Sequence, residues 1–310
     1  MLDITHKYPT LRIAVAEATV TIQPNTMQAI QSNQVPKGNP LETARAAAVL
    51  AAKQTATLIP FCHPIPITYI GIDFKLESNA VRITVTAKTI AATGVEMEAL
   101  TAACVAALTL YDMLKMLDDN MTIEQVRLIR KQGGKSDFTE MLSRPLRAAV
   151  FVFSDSVAAG KKSDESGRLI EQRLRREGCE LADYRVLPDD CDAIAAALRQ
   201  AADENELDLI ITTGGTGFSP RDTAPEAMSR VIERECPGIV EAMRSYGQQR
   251  TPYAMLSRAR AGLHGKTLIV NLPGSRRGVA ESLDCLFPAL LHAFPMIGGG
   301  GHSAPEGRTK

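Results

Sequence analysis

The sequence of 310 residues contains no tryptophan, and aromatic residues make up only 5% of it. This scarcity argues against base-stacking platforms for single-stranded nucleic acid and against sugar-binding aromatic clefts. Charge of neither sign is in excess, because 35 Lys and Arg balance 35 Asp and Glu. A neutral chain lacks the broad basic surface that binds nucleic acid or anionic lipid, so we expect neither as a partner. Any anionic ligand must therefore be held by a local cluster.

Zinc-ligand patterns, long apolar runs and a secretory signal are also missing. The six cysteines form no Cys-x-x-Cys pair, and no histidine stands at zinc-ligand spacing. No apolar run reaches the roughly 18 residues of a membrane span, and the first residues, with Asp3 among them, have no apolar segment. We therefore expect a cytoplasmic protein. Cys62 beside His63 suggests a thiol nucleophile, but adjacent residues of an extended segment point to opposite sides, which argues against one.

The chain is long enough for two domains, and its rhythm changes between the halves. The first half predicts a helix over Asn39–Leu58, a hairpin of strands Ile67–Leu76 and Val81–Ile90, a long helix over Val95–Leu117 and a last strand over Thr122–Ile129. This order predicts an α+β domain in which helices cover one face of an antiparallel, ferredoxin-like sheet.

The second half alternates apolar strands with helices, which predicts an α/β domain with a mostly parallel sheet covered on both faces. The strands are predicted at Ala148–Phe153, Tyr184–Leu187, Asp208–Ile211 and Thr267–Val270, and the clearest helices at Gly167–Arg176 and Ala193–Ala202. Two glycines, short polar residues and a proline break the pattern before the second half. We place the domains at 1–137 and 147–297, with a linker at 138–146 and a disordered tail at 298–310.

Polar loops directly follow three strands of the second half: Ser154-Asp155-Ser156, Thr212 to Gly217, and Asn271 to Ser275. Ligands of parallel sheets bind outside the carboxyl ends of the strands, where glycine lets backbone amides approach an anion closely. Any one of the loops alone could be an ordinary turn, but the three together favour a phosphate site. Two Gly-Lys-Ser/Thr tripeptides fail the P-loop spacing, and no Gly-x-Gly-x-x-Gly pattern supports NAD.

Acidic residues stand close to these loops. Asp189 and Asp190 follow the strand that ends at Leu187, and Asp222 comes five residues after Gly217. Carboxylates beside a phosphate cradle suit Mg²⁺, which takes one or two of them together with phosphate oxygens. Helix N-capping by Asp190 or Asp222 is the alternative.

The motifs Thr212-Thr-Gly-Gly-Thr-Gly-Phe-Ser-Pro-Arg-Asp222, Ala254-Met-Leu-Ser-Arg-Ala259 and Asn271-Leu-Pro-Gly-Ser275 resemble the molybdopterin-binding MoaB/MogA family over about 147–293. The resemblance implies an adenylyltransferase that activates molybdopterin with MgATP, whose catalytic and Mg²⁺-holding acids are Asp189 and Asp222. Trimers are common in the family, and some members are poorly active, so a pterin-binding or assembly module without turnover stays open. The implied binding residues are Ser154, Thr213, Gly214, Gly215, Thr216, Gly217, Ser257, Asn271, Pro273, Gly274 and Ser275.

In the first half, Asp112 and Lys115 are three residues apart and share a helix face. A surface ion pair explains such a pair by itself, although the apolar neighbours Leu108, Tyr111 and Leu114 weaken that explanation. Glu98 and Asp112 are 14 residues apart, about 21 Å along one straight helix at a rise of about 1.5 Å per residue. If both act on one substrate, a second subunit must complete the site.

The strings Phe61-Cys-His-Pro64, Thr93-Gly-Val-Glu-Met-Glu98, Tyr111-Asp-Met-x-Lys115 and Gly133-Gly-Lys-Ser136 resemble cyclic pyranopterin monophosphate synthase, the MoaC family, over about 1–137. That family converts a cyclic dihydroguanosine triphosphate into cyclic pyranopterin monophosphate and pyrophosphate, between subunits of a hexamer and without a tightly bound cofactor. The resemblance makes Asp112 the essential acid, assisted by Lys37, Lys115 and Lys135. The implied binding residues are Arg12, Phe61, Cys62, His63, Glu96, Met97, Glu98, Lys131 and Lys135.

Together the resemblances imply a bifunctional enzyme of molybdenum cofactor biosynthesis that acts on pterin and nucleotide substrates. One departure from the first family is Asn39, which stands where an acid usually follows Pro-Lys-Gly. We expect a homo-oligomer, a hexamer built on threefold symmetry. An inactive scaffold is the least favoured alternative, because a scaffold needs no glycine loops at its strand ends.

Overall fold

The computed structural model describes residues 1–140, 142–204 and 206–299, without the side chains of residues 135 and 136. Along the chain it divides into two compact units between Asp137 and Phe138. Of the predicted disordered tail, all but Gly298 and Gly299 lies outside the described residues.

The first unit is the predicted α+β domain. Its elements are β1 (Thr10–Thr21), α1 (Pro24–Gln31), α2 (Pro40–Lys53), α3 (Thr55–Leu58), β2 (Tyr69–Leu76), β3 (Ala80–Ala91), α4 (Glu96–Leu114) and β4 (Thr122–Gln132), followed by a 3-10 turn at Lys135–Phe138. The strand order is β2-β3-β1-β4, and every pairing is antiparallel. This order confirms the ferredoxin-like sheet.

Strand β1 is central in this sheet, yet the sequence prediction contains no strand before the hairpin. Its inward positions are mostly alanines, such as Ala14, Ala16 and Ala18, all completely buried. Large β-branched residues, the usual sign of a strand, are therefore missing from its buried face. The small side chains allow close packing against α4, whose buried positions include Ala103 and Ala106.

The predicted helix over Asn39–Leu58 is two helices, because α2 ends at Lys53 and α3 begins at Thr55. Asn39 caps α2, and its Oδ1 accepts the amides of Leu41 at 3.0 Å and Glu42 at 3.2 Å. An aspartate can cap a helix in the same way. Asn39, where the family usually has an acid, therefore still caps the start of α2.

Among the described residues, α4 alone is long and apolar enough to cross a membrane by length and composition. Half of its apolar window is buried inside the fold, where Ala99, Ala102 and Leu110 belong to the core beneath the sheet. This packing is that of a core helix.

The second unit is the predicted α/β domain. Its strands are β5 (Arg147–Phe153), β6 (Glu180–Leu187), β7 (Leu209–Thr213), β8 (Arg234–Glu235), β9 (Ala261–His264) and β10 (Thr267–Leu272). Its helices are α5 (Asp155–Ala158), α6 (Glu165–Arg176), α7 (Cys191–Glu204), α8 (Ala224–Ser229), α9 (Pro237–Gln248), α10 (Arg276–Leu286) and α11 (Ala293–Ile297), with 3-10 turns at Pro252–Leu256 and Ala289–His292.

The strand order is β6-β5-β7-β10-β9-β8, in which the first four strands are parallel and the last two pair antiparallel. Alternate residues of β5 enter different cores: Val150 and Val152 face one, Phe151 and Phe153 the other. Two cores on opposite faces confirm a sheet covered on both sides. The short strands β8 and β9 were not predicted.

The segment predicted as a linker packs onto the second unit. Leu146 is buried in its core with Leu142 packed against the same cluster. Arg144 donates to both carboxylate oxygens of Asp208 at 2.7 Å. The segment is therefore structurally a part of that unit.

Candidate active sites

The carboxylate of Asp112 lies between two lysines at the C-terminal end of α4. Oδ1 is 2.9 Å from Nζ of Lys115, and Oδ2 is 2.9 Å from Nζ of Lys37, which also donates to the Asp112 carbonyl at 2.7 Å. Lys115 comes from the same helix end, whereas Lys37 comes from the turn before α2. Because the Asp112 side chain is 56% exposed, the group is open to a ligand or a further subunit.

Hydrogen bonds from Lys115 and then Lys37 lower the pKa of Asp112 to about 2. The bond to Asp112 in turn raises the pKa of Lys115. Asp112 is therefore a carboxylate, and Lys115 an ammonium, at neutral pH. The site therefore presents one negative and two positive charges within hydrogen-bond distance of each other.

Removal of one lysine should shift this titration measurably. We expect Lys115→Ala to raise the pKa of Asp112 toward its ordinary value of 3.8, and by more than Lys37→Ala does. Since the folded pKa is the lower one, the stabilisation from these ion pairs is present above about 3.8 and lost as the pH falls through about 2. Carboxyl ¹³C chemical shifts measured against pH check the order; equal midpoints in wild type and Lys115→Ala would contradict it.

A second group lies at the other end of α4, in a cleft lined by Arg12, Glu96, Lys131 and Asp137. Arg12 is largely buried and donates to the carbonyls of Ala91 at 3.2 Å and Ala92 at 3.4 Å. Burial lowers its pKa, and the carboxylates of Glu96 and Asp137 counteract this effect. Lys131 Nζ is 3.8 Å from Oε1 of Glu96. The cleft thus combines the cations Arg12 and Lys131 with the carboxylates Glu96 and Asp137.

Glu98 is buried in the first turn of α4, and within the described part of the chain its Oε2 has no hydrogen-bond partner. Burial raises its pKa. Such an orphaned carboxyl oxygen is rare in folded proteins and is typical of a group that awaits a ligand.

Burial, with Glu98 nearby, also raises the pKa of Cys62. A raised pKa is the opposite of what an activated thiolate needs, which agrees with the argument against a cysteine nucleophile.

His63 Nε2 is 2.8 Å from the carbonyl of Leu2. Phe61 and Met97 are exposed.

Seven of the predicted residues of the first unit thus fall into two groups at opposite ends of α4. Lys37, Asp112 and Lys115 form one; the cleft, together with Glu98, forms the other. Lys135 begins a 3-10 turn next to the cleft-lining Gly134, but its side chain lies outside the described residues.

In the second unit, β5, β7 and β10 are neighbours, so their three loops emerge at one edge of the sheet. The loops bond to each other: Thr213 Oγ1 donates to the carbonyl of Pro273 at 2.7 Å, and the Gly214 amide donates to Leu272 at 3.2 Å. Asn271 Nδ2 donates to Thr212 Oγ1 at 2.9 Å and to the Gly214 carbonyl at 3.3 Å. The convergence predicted from the strand ends is therefore present.

Glycine permits this closeness. Gly214 has φ +104°, and a Cβ there would be 2.2 Å from the carbonyl oxygen of Phe153. A Cβ on Gly274 would be 3.3 Å from Cα of Gly214. Only residues without side chains can bring these backbones together.

Asn271 is fully buried, and its Oδ1 is another of the few buried oxygens without a partner among the described residues. Its amide group is already used within the loops. This oxygen is free to accept a hydrogen bond from a ligand.

The remaining predicted residues support the loops in different ways. Ser154 and Ser275 cap α5 and α10, where their Oγ atoms accept the amides of Val157 and Gly278. Arg258 donates its backbone amide to the carbonyl of Thr216 and its Nε to the carbonyl of Gly217. The side chain of Arg244 donates to the carbonyl of Ser257. A Cβ on Gly215 would contact Ala224 at 2.9 Å. Arg258, which the sequence reasoning missed, thus holds the glycine loop.

Helix N-capping, the alternative role for the acidic residues, applies to Asp190 but not to Asp222. Asp190 caps α7, since its Oδ1 accepts the amide of Ala193 at 2.8 Å. Asp222 caps no helix; its Oδ2 accepts the amide of Ser219 at 2.9 Å within the loop before α8. Burial, and secondarily the nearby carboxylates of Asp155 and Asp222, raise the pKa of Asp189. Asp189 and Asp222 therefore share one electrostatic environment.

Within the described residues, no three His, Cys, Asp or Glu side chains form a complete metal-binding group. Mg²⁺ bound to a nucleotide needs only one or two protein carboxylates, because phosphate oxygens and water supply its other ligands. Two mutually repelling carboxylates beside glycine loops fit that requirement.

The sequence profile of the MoaC family matches residues 1–134, and that of the probable molybdopterin binding domain matches 149–292. A "Molybdenum cofactor biosynthesis bifunctional protein" of Chlorobaculum tepidum is 42% identical over 303 residues, covering 98% of this chain and 96% of the relative. The chain belongs to the bifunctional molybdenum cofactor biosynthesis proteins.

Two further similarities each concern one half of this bifunctional protein. A cyclic pyranopterin monophosphate synthase of Nostoc sp. is 51% identical over 138 residues, which are 44% of this chain and 82% of the relative. The crystal structure of the molybdopterin biosynthesis enzyme MoaB from Thermus thermophilus is 43% identical, covers 50% of this chain and 97% of its own, and has a TM-score of 0.48. The two family models, over residues 1–134 and 149–292, identify the chain as a fusion of a MoaC domain with a molybdopterin-binding domain.

Proposed function

We propose that the first unit converts a cyclic dihydroguanosine triphosphate into cyclic pyranopterin monophosphate and pyrophosphate. The observation that carries the proposal is the Asp112 carboxylate between Lys37 and Lys115. Asp112 acts as the proton acceptor, and Lys115 supplies and stabilises charge during the rearrangement. The cations Arg12 and Lys131 bind the triphosphate. No tightly bound cofactor is needed for these steps.

One subunit cannot offer both groups to one substrate, because they lie at opposite ends of α4. We therefore propose that each site is shared between two subunits of a hexamer built on threefold symmetry. The exposure of Asp112 and both lysines supports this arrangement. The proposed location is the cytoplasm.

For the second unit, we propose adenylylation of molybdopterin with MgATP. The three converging loops carry this proposal, since their amides and hydroxyls suit a nucleotide phosphate chain. Asp189 and Asp222 would hold Mg²⁺, which, when bound, neutralises charge on the transferred phosphate. Asn271 Oδ1 would accept a hydrogen bond from a donor on the bound substrate.

Incubation of the full chain with molybdopterin, ATP and Mg²⁺ tests the second activity. We expect adenylylated product and pyrophosphate, and Asp222→Asn should lower the rate roughly 100-fold or more, as expected for loss of a charge that stabilises the transition state. Chromatographic separation of the product measures both, with EDTA-treated wild type as the zero point.

The same assay decides the alternative of a module that binds without turnover. Wild-type protein that binds molybdopterin but forms no adenylylated product would support that alternative and reject the adenylyltransferase. A rate in Asp222→Asn equal to wild type would reject the role of that acid.

A further inference from the structure

Asp155 is outside the residue set that the motifs imply, yet it forms a reciprocal pair with Asp189. The Asp155 amide donates to Oδ2 of Asp189 at 3.1 Å, and the Asp189 amide donates to Oδ1 of Asp155 at 3.1 Å. The two residues follow the neighbouring parallel strands β5 and β6. The backbone amide of Asp155 thus orients the Asp189 carboxylate, while the Asp155 side chain holds the Asp189 backbone at the edge of the sheet.

The second oxygen of Asp155 extends this connection to a third loop. Oδ2 forms an ion pair with Arg221, the residue immediately before Asp222. Asp222 in turn closes its own turn by accepting the Ser219 amide. A single side chain therefore connects the loops that carry Asp189 and Asp222.

We propose that Asp155 is a positioning residue of the Mg²⁺-nucleotide site, whose side chain holds the Asp189 backbone through Oδ1 and the Asp222 turn through Arg221. Both its oxygens are already occupied by protein donors, so it supports the acids and is not itself a ligand. Outer partners of metal-binding carboxylates fix ligand orientation, and their removal typically weakens metal binding about 10- to 100-fold. The inference rests on the proposed adenylyltransferase function.

The test is a titration of the full-length protein with Mn²⁺ in the presence of saturating ATP, followed by the electron paramagnetic resonance signal of free Mn²⁺. We expect Asp155→Ala to weaken binding by at least about 10-fold. The Mn²⁺ affinity of Asp155→Asn should lie between those of Asp155→Ala and wild type. Its side-chain oxygen still accepts the Asp189 amide, whereas the ion pair with Arg221 is lost. The matched control is Asp192→Asn, which breaks the exposed Asp192–Arg230 pair of the same unit and should bind as wild type does.

Turnover separates positioning from general damage to the fold. With saturating Mn²⁺, adenylylation by the Asp155 variants should return close to the wild-type rate, because only the binding of the metal is impaired. Asp155→Ala that binds Mn²⁺ as tightly as Asp192→Asn overturns the inference. Binding by Asp155→Asn as weak as that by Asp155→Ala would assign the effect to the Arg221 ion pair alone and reject the part of the inference that runs through the Asp189 amide. If Asp155→Ala does not fold, Asp155→Asn must still bind more weakly than Asp192→Asn. Wild-type protein that binds no Mn²⁺ with ATP rejects the proposed function itself.

Discussion

Asp112→Asn is expected to lower formation of cyclic pyranopterin monophosphate by roughly 10²- to 10⁴-fold, the usual contribution of a positioned acid or base. Asparagine keeps the shape of the side chain but cannot accept a proton, and it removes the charge that holds Lys37 and Lys115. Pyrophosphate release and product formation, followed with the cyclic triphosphate as substrate, measure the loss. Substrate binding should be retained, because the cleft around Arg12 is unchanged.

The matched control is Glu42→Gln. Glu42 and Arg45 form an i,i+3 ion pair on α2 at 3.5 Å, with the same spacing as Asp112 and Lys115 on α4. Loss of this pair should leave the reaction unchanged. A fully active Asp112→Asn protein would refute the acid–base role and leave Asp112 as an ordinary surface ion pair.

Gly214→Ala is expected to destabilise the second unit by at least about 3 kcal/mol, because backbone strain and a steric clash act together. The residue has φ +104°, and the new methyl would be 2.2 Å from the backbone oxygen of Phe153 in β5. Neither the loop nor the central strand can move without breaking the convergence of the three loops. ATP binding should be lost along with stability.

Two other glycines separate strain from clash. Gly265 has φ +54° with nothing near a Cβ, so Gly265→Ala should cost only about 1 kcal/mol of strain. Gly238 lies in α9 with open space and no such φ, so Gly238→Ala should be neutral or slightly stabilising. Hydrogen exchange of peptides from β5 and β7, measured against urea, reports the stability of this unit alone. If Gly214→Ala lowers the stability of the unit no more than Gly265→Ala does, the predicted clash with Phe153 is wrong.

The elements that sequence reasoning predicted well are those with strong local patterns. Strands β5, β7 and β10 are almost uninterrupted apolar runs, and α4 follows helical spacing, so both were found with bounds within a few residues. Strand β1 was missed because its buried face is alanine, and β8 and β9 because they are short pieces at an edge. Periodicity reports burial by large apolar residues, and these strands have few of them.

The candidate sites divide in the same way. The glycine loops and Asp189 were visible because each lies next to a strand end along the chain, and Asp222 because it follows Gly217 by five residues. The pairing of Lys37 with Asp112, 75 residues later, and of Asp155 with Asp189, 34 residues later, was not deducible from spacing. Hydrogen bonds form between atoms about 3 Å apart in space, and sequence separation does not restrict which atoms those are.

The sequence by itself determined two domains of different class, their loop chemistry and the resemblance of each half to one family. It did so because periodicity, turn residues and motif spacing are properties of neighbouring residues. Only the tertiary structure decided that Asp112 is held as a carboxylate by two lysines, that Glu98 and Asn271 each keep a buried oxygen free, and that Asp155 connects the two acids. These features depend on burial and on contacts between distant segments, which exist only once the strands have paired.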